Sequence, residues 1–382
     1  MIFAAKRSTS FSPPLVLNNT IVERIYQHKH LGLWLSSDLD WEKHISYTCL
    51  RANRKLAVLR SVRFLNRATL DLLYKLTVRS VVEYAMVVFY NSLKQTQLKR
   101  LDQIQYRAAK LCTGALHFTS QIKLEQDLSW ESVSDRAEFL GLTVFHKIRD
   151  FETRPLIKKC MPNLQIKARN TRSTGLYVEH KYQQYQNKTF MTSFFPHFTK
   201  IYNKLEPETR NLNLVDFKEK LKPKYKHKKI KHFSRGLSKW SNSLHTQLRV
   251  GRSFLAADGF KINLVESNKC QQCQALPDQQ PKLVPETASH FLLSCNKFAD
   301  KRISLFSKIT GYVPNFQKLT QKRQSEILLS GINLENEEPD PRNLGIALAV
   351  QKYIIQTERF IFGDDITPPP PHPPPPINPL QP

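Results

Sequence analysis

Apolar residues recur at three- and four-residue steps through Trp41, Ile45, Cys49, Ala52, Leu56 and Leu59. That spacing belongs to one face of a helix and predicts an amphipathic helix over about 41–61. Asp40 stands where an N-cap belongs, and Lys43 and His44 are read as facing water. A second helix is expected after Asn66, another cap residue. Its apolar positions Leu70, Leu73, Tyr74, Thr77, Val78, Val81, Val82, Ala85 and Val88 cover more than one face, which predicts the most buried helix of the chain. A third is expected over 98–111, with Leu101, Ile104, Ala108 and Leu111 inward and Lys99, Arg100, Arg107 and Lys110 outward. Gly114 is placed to end it. Upstream, 20–41 alternates around Gly32 and reads as a short hairpin running into the first helix.

Beyond Trp130, residues 134–150 fit further short helices. Residues 161–200 lose the helical period and read as short strands or an extended surface path. Helix returns over 198–222, broken at Pro207. An amphipathic helix is expected over 298–309, and a last one over 344–362 through Ile346, Val350, Tyr353, Ile354 and Phe360. The chain closes on TPPPPHPPPPINPL, a polyproline II tract with no prolyl N–H to donate and no core to join. The fold class is therefore mainly α: a helical bundle with a short N-terminal β hairpin, a helical linker region and a small C-terminal element.

Charge narrows the partners. Fifty-eight Lys and Arg face 32 Asp and Glu, a formal net charge of +26 over 382 residues. Such an excess concentrates polyanions at the surface, so RNA or DNA is the expected partner. No run of about 18 uncharged apolar residues is present to span a bilayer, so no membrane partner is expected. MIFAAKRSTSFSPPLVL has no long apolar core of the signal-peptide kind. Of six cysteines, Cys49, Cys112 and Cys160 stand alone and read as small core residues or free thiols. That usage fits a reducing compartment, nucleus or cytoplasm.

The other three belong to the most specific motif in the chain. Cys270, Cys273, His290 and Cys295 read C-x2-C-x16-H-x4-C. Three thiolates and an imidazole complete a tetrahedral zinc shell and leave no position open for substrate, so structural zinc is the expected cofactor. The intervening loop carries Pro277, Pro281 and Pro285. A metal here is expected to replace a core that so short an element cannot build, and its loss to unfold only that element. Upstream, eight lysines lie between Lys218 and Lys231, with Tyr225, Ile230 and Phe233 interleaved. Lysines between aromatics suit phosphate attraction with base stacking, which marks Lys224, Lys226, Lys228 and Lys229 as nucleic-acid-binding candidates. Arg249, Arg252 and Lys261 extend the set toward the cysteines.

The order of segments resembles the C-terminal part of a non-LTR (LINE-type) retrotransposon reverse transcriptase. HKHLGLWLSSDLDWEKHI is similar to the family's post-palm motif, and LYKLTVRSVVEYAMVVFYNSLKQTQLKRLDQIQYRAAKLCTG to its paired thumb helices. FPHFTKIYNKLEPETRNLNLVDFKEKLK resembles the linker, with Tyr202-Asn203-Lys204-Leu205-Glu206-Pro207 where the family usually has Trp-Asn-x-Leu-Pro. The cysteine-histidine stretch resembles the C-terminal knuckle. The resemblance implies a thumb-like bundle in which Arg51, Arg54 and Lys55, with Arg60, Arg63 and Arg67, line a nucleic-acid groove. The resemblance covers nearly all of 20–362, and the expected order of parts is leader 1–19, disordered or a remnant; hairpin and thumb 20–160; linker with basic run 161–245; knuckle and helices 246–362; and, outside the resemblance, a disordered proline tail 363–382.

Two-metal nucleotide transfer needs carboxylates that hold both ions, and the family that the chain resembles supplies them from strands of its palm. The one Asp-Asp pair, Asp364–Asp365, reads as a polar helix exit, while Asp38 and Asp40 flank a turn and a cap. No catalytic residue is therefore assigned and no autonomous activity is expected. The alternatives are part of an active RNA-directed DNA polymerase whose catalytic portion lies outside this chain, or an interaction module whose proline tract, interrupted by His372, meets a polyproline-binding domain.

Overall fold

A computed structural model of the chain describes residues 15–149, 161–163, 176–179, 188–225, 236–274, 284–334 and 340–360. Residues 1–14, Cys160, Lys226, Lys228, Lys229, Pro277, Pro281 and the tail from 361 lie outside the described residues. The architecture is mainly α, with small N-terminal β hairpins and a C-terminal Cys/His cluster. The chain divides into two compact units at 234/235.

Two hairpins open the first unit. β1 (Val16–Leu17) pairs with β2 (Thr20–Ile21), and β3 (Gln27–His30) with β4 (Leu33–Ser36). Each turns through two residues of positive φ, Asn18–Asn19 and Leu31–Gly32, the conformation that follows the twist of the strands. A Cβ on Gly32 would lie 3.1 Å from the Tyr84 ring, so this turn also suits a glycine by contact. The first hairpin straddles the expected 19/20 boundary, so residues 15–19 are structured.

α1 spans Glu42–Ser61 and buries Ile45, Cys49, Ala52, Leu56 and Leu59, as its periodicity requires. Asp40 does stabilise its start, its carboxylate accepting from the Glu42 N–H at 2.8 Å. His44 departs from expectation: it is buried, with its ring 4.7 Å from Phe89 and edge-on to it. The α1 stripe is wider than the apolar letters suggest, because Thr48 is buried beside it as well.

After Asn66, whose side chain caps α2 (Arg67–Leu73), the expected single buried helix is broken. Residues Tyr74–Arg79 form a π-helical stretch, α3 (Ser80–Glu83) returns to α, and Ala85 is left-handed at φ 52° before the short α4 (Met86–Phe89). The hydroxyls of Thr77 and Ser80 bond back to the carbonyls of Leu73 and Leu76, both at 2.7 Å, and so compete for the acceptors of the regular ladder. Leu70, Tyr74, Val78, Val82, Met86 and Phe89 are buried, while Leu72, Leu76, Tyr84 and Val88 are exposed. This segment therefore buries one face and is not the most buried helix.

α5 (Gln95–Thr113) ends at left-handed Gly114 and packs on α1. The two run in the same direction. Lys94 reaches Asp40 at 2.6 Å and Arg100 pairs with Glu42 near their amino ends, while Arg60 and Arg107 crowd Lys110 near the other. α6 (Gln121–Leu128) and α7 (Val133–Arg149) close the bundle through buried ion pairs. Arg79 contacts Glu83 at 2.6 Å and Glu131 at 2.8 Å, and Arg136 forks onto Glu83.

After the short α8 (Lys188–Met191), α9 (Phe194–Asn203) and α11 (Leu214–Tyr225), joined through the short α10 (Pro207–Arg210), share an apolar cluster with Leu142 and Phe145 of α7, so 194–225 belong to the first unit. His146 stacks on Phe217 at 3.7 Å and bonds Tyr202 Oη and the Leu212 carbonyl. Asn203 uses its amide as a strand uses its backbone: Oδ1 accepts from Tyr177 N–H at 3.0 Å and Nδ2 donates to Tyr177 O at 2.9 Å.

In the second unit, α12 (Lys239–Val250), α15 (Ala288–Leu293), α16 (Ala299–Tyr312), α17 (Gln321–Ser330) and α18 (Arg342–Thr357) surround one core; α13 (Ala256–Phe260) and α14 (Gln271–Gln274) lie between α12 and α15 in sequence. At its centre Phe291 meets Phe298, Tyr353 and Phe360 at 5.4–5.6 Å, and Tyr353 Oη donates to the Phe291 carbonyl at 2.8 Å.

Candidate metal centre and basic face

Each ligand of the cysteine-histidine group is placed by a local device. Cys270 follows a strand-like bridge between Lys269 and Pro285, its N–H donating to Val284 O at 2.9 Å. Cys273 rides on α14. Thr287 caps α15 by accepting from the His290 N–H at 3.1 Å, which puts His290 in its first turn. The Cys295 N–H then returns to the His290 carbonyl at 2.8 Å and closes the loop. Arg302 holds that loop from beneath, donating to the carbonyls of Leu292 and Cys295.

The four donor atoms lie within 4.8 Å of one another, and all four residues are buried. Cys270 Sγ and Cys295 Sγ are 3.8 Å apart, Cys273 Sγ and Cys295 Sγ 3.6 Å, and Cys273 Sγ and His290 Nε2 3.4 Å. A disulfide would need about 2.05 Å. The edges of a zinc tetrahedron with bonds of about 2.3 Å to sulfur and 2.0 Å to nitrogen are about 3.8 Å for S–S and 3.5 Å for S–N. The observed edges fit the second. His290 Nδ1 lies 3.3 Å from Ser294 Oγ, so the hydroxyl can hold the tautomer that turns the Nε2 lone pair toward the sulfurs. The hydrogen bond shared by Cys270 and Cys295 favours the Cys270 thiolate and holds the proton on Cys295, so a cation between the two sulfurs is what would let both ionise together. The donor set thus fits a structural zinc-binding site.

The cluster is not a free-standing knuckle. Cys270, Cys273 and Cys295 belong to the same apolar core as Leu244, Phe291, Ile309, Val350 and Tyr353. The expectation that metal loss would unfold only a local element is corrected: the ligands share the core of the whole second unit.

The basic candidates separate. Arg51, Arg54 and Lys55 stand exposed together on α1, and none has an ion-pair partner among the described residues. The hairpin continues that face. Lys29 Nζ bonds Tyr47 Oη at 3.1 Å, Lys43 Nζ sits 3.9 Å from the Trp34 ring centre, and the Arg51 guanidinium lies 5.6 Å from that of Tyr47. The bond from Lys29, with the charge of Arg51, holds the Tyr47 phenol below its ordinary range. Sequence reasoning missed Lys29 and Trp34, which the β3–β4 pairing brings against Lys43 and Tyr47 of α1.

Arg67 is a correction: it is buried against Asp127 at 2.6 Å and cannot line a groove. Lys224 pairs with Glu138 at 3.2 Å, and Tyr225 is buried with its hydroxyl on Glu138, so it offers no stacking surface. Arg249 is half-buried, donating to Thr246 Oγ1 at 2.8 Å; Arg252 is also half-buried, and Lys261 pairs with Asp258 at 3.0 Å. Among the described residues no helix is long and apolar enough to cross a membrane. No protein-family model matches the chain, and no curated protein or solved structure matches it.

Proposed function

We propose that this chain is a nucleic-acid-binding protein related to the thumb and C-terminal knuckle of LINE-type reverse transcriptases. In this reading the face of α1 meets the phosphate backbone and the second unit carries a structural zinc, with no nucleotide transfer by this chain itself. The observation that carries the reading is the α1 face: Arg51, Arg54 and Lys55 are exposed with no carboxylate partner among the described residues, and Lys29 and Lys43 adjoin them across Tyr47 and Trp34. Other cations of this unit, Arg67, Arg79, Arg100 and Arg136 among them, are spent on carboxylates. Cations left unpaired in a row are suited to a polyanion. The order of hairpin, paired helices and cysteine-histidine group adds the family resemblance.

The test is binding of a single-stranded RNA and a DNA duplex over a salt series. Replacing Arg51, Arg54 and Lys55 by Gln should weaken binding and flatten the log–log salt slope by about 2–3, since each lost phosphate contact removes about 0.7–0.9. Neutralising the exposed Lys308, Lys318 and Lys322 gives the control. Equal losses from both sets would mean a diffuse cation with no binding face and would refute the reading.

A further inference from the structure

Glu286 and Arg359 form a buried ion pair beside the cysteine cluster, although neither is a ligand. Arg359 Nε meets Glu286 Oε1 at 2.7 Å and Nη2 meets Oε2 at 2.8 Å, a two-pronged contact. The side chains are 2% and 16% exposed, respectively. Glu286 Oε2 also accepts from the Ala256 N–H at 2.8 Å, and the Glu286 N–H donates to Asn268 O at 2.8 Å. One residue therefore joins the start of α13, the stretch leading into Cys270 and the segment after α18. The Arg359 charge is favoured first by its bond to Glu286 and also by the field of Cys270 and Cys295. Phe360, the next residue, packs on Phe291 in the core that holds the three cysteines.

Three thiolates and a neutral imidazole around a dication carry one net negative charge. In an apolar core such a charge is costly unless a counter-charge faces it. Glu286 alone would worsen the balance by adding a second. Arg359 satisfies the carboxylate, and its partner Glu286 is bonded to the Asn268–Lys269 stretch that leads directly into Cys270.

We propose that Arg359 is a positioning residue of the metal centre: its guanidinium offsets the anionic loaded cluster, while its fork to Glu286 locks residues 358–360 onto the ligand loop. Metal retention and docking of that segment then depend on each other. The inference rests on the zinc reading and is independent of nucleic-acid binding.

The experiment measures zinc affinity of the full chain against a chromophoric chelator, with hydrogen exchange of residues 353–360 as a second readout. Removing Arg359 alone would strand a buried carboxylate, so the informative comparison is Glu286→Gln with Glu286→Gln/Arg359→Gln. The double variant should bind zinc roughly tenfold more weakly, within the range for groups that support metal ligands. Arg359→Lys, which keeps the charge and loses the fork, should bind zinc with an affinity between those of the parent and the double variant and should raise exchange at 353–360. Chelation of the parent should raise exchange at 353–360. Parental affinity in the double variant, or Arg359→Lys as weak as the double variant, would overturn the proposal and leave an ordinary ion pair. A parent chain that holds no zinc would overturn both the centre and this role.

Discussion

Replacing Cys273 by Ser removes one of four ligands from a site that shares its core with five helices of the second unit. Structural zinc contributes apparent free energies of about 10–16 kcal/mol in small metal-folded domains. Whole domains are stable by only about 5–15 kcal/mol. Losing even a third of the metal term, about 3–5 kcal/mol, would exhaust much of such a margin. The neighbours cannot absorb the loss, because Cys270, Phe291 and Tyr353 are at most 1% exposed and Phe291 is fixed to Tyr353 through its carbonyl. In a domain of this size the melting point should fall by about 15 °C or more. Differential scanning calorimetry with zinc analysis checks this: the parent should hold about one zinc, and in the variant the transition of the second unit should move down while that of the first stays in place. Unchanged melting of the second unit in a zinc-free variant would refute the argument. Such a result would mean that the apolar core suffices and the ligands merely decorate it.

Gly141→Ala tests the packing of α7 on Phe198, since a Cβ there would stand 1.8 Å from the ring tip. Overpacking of about 1–3 kcal/mol or more should outweigh the roughly 1 kcal/mol that Ala gains in a helix, so urea denaturation should show net destabilisation. Burial pushes the His44 imidazole down to about 4. The unfolded state then binds the proton first, so stability present above about pH 6.5 should be lost as pH falls toward 4, by about 3 kcal/mol at most. His44→Leu should flatten that part of the pH–stability profile, and an identical profile would refute the assignment. Substituting Asp127→Ala should cost about 3–5 kcal/mol by stranding Arg67, which thermal denaturation of the variant would show.

Helix positions and ligands were legible because their signals are local. The stripe of Trp41 to Leu59 and the stop at Gly114 act within a few residues, and both appear where the periodicity put them. The C-x2-C-x16-H-x4-C spacing likewise identified four side chains that converge. What escaped depends on neighbours far along the chain. His44 is buried because Phe89 lies over it, and Tyr225 because Glu138 takes its hydroxyl. The π-helical stretch arises where Thr77 and Ser80 compete for carbonyls within an otherwise helical pattern, which apolar spacing alone cannot register. The cysteines looked like a separate staple because sequence spacing carries no information about Tyr353 and Phe360.

Asn203 holds Tyr177 with both ends of its amide, one accepting and one donating, and its Nδ2 also meets Glu179 at 3.1 Å. Asparagine is chemically perishable: slow hydrolysis of the side-chain amide leaves a carboxylate of nearly the same shape. Here that change would exchange the donor for an anionic oxygen facing the Tyr177 carbonyl and the Glu179 carboxylate, with no proton left for either. A single ageing event, invisible to hydropathy and nearly invisible to mass, would turn the clasp into a repulsion. The lifetime of this part of the fold is thus tied to how well one helix end shields an amide from water.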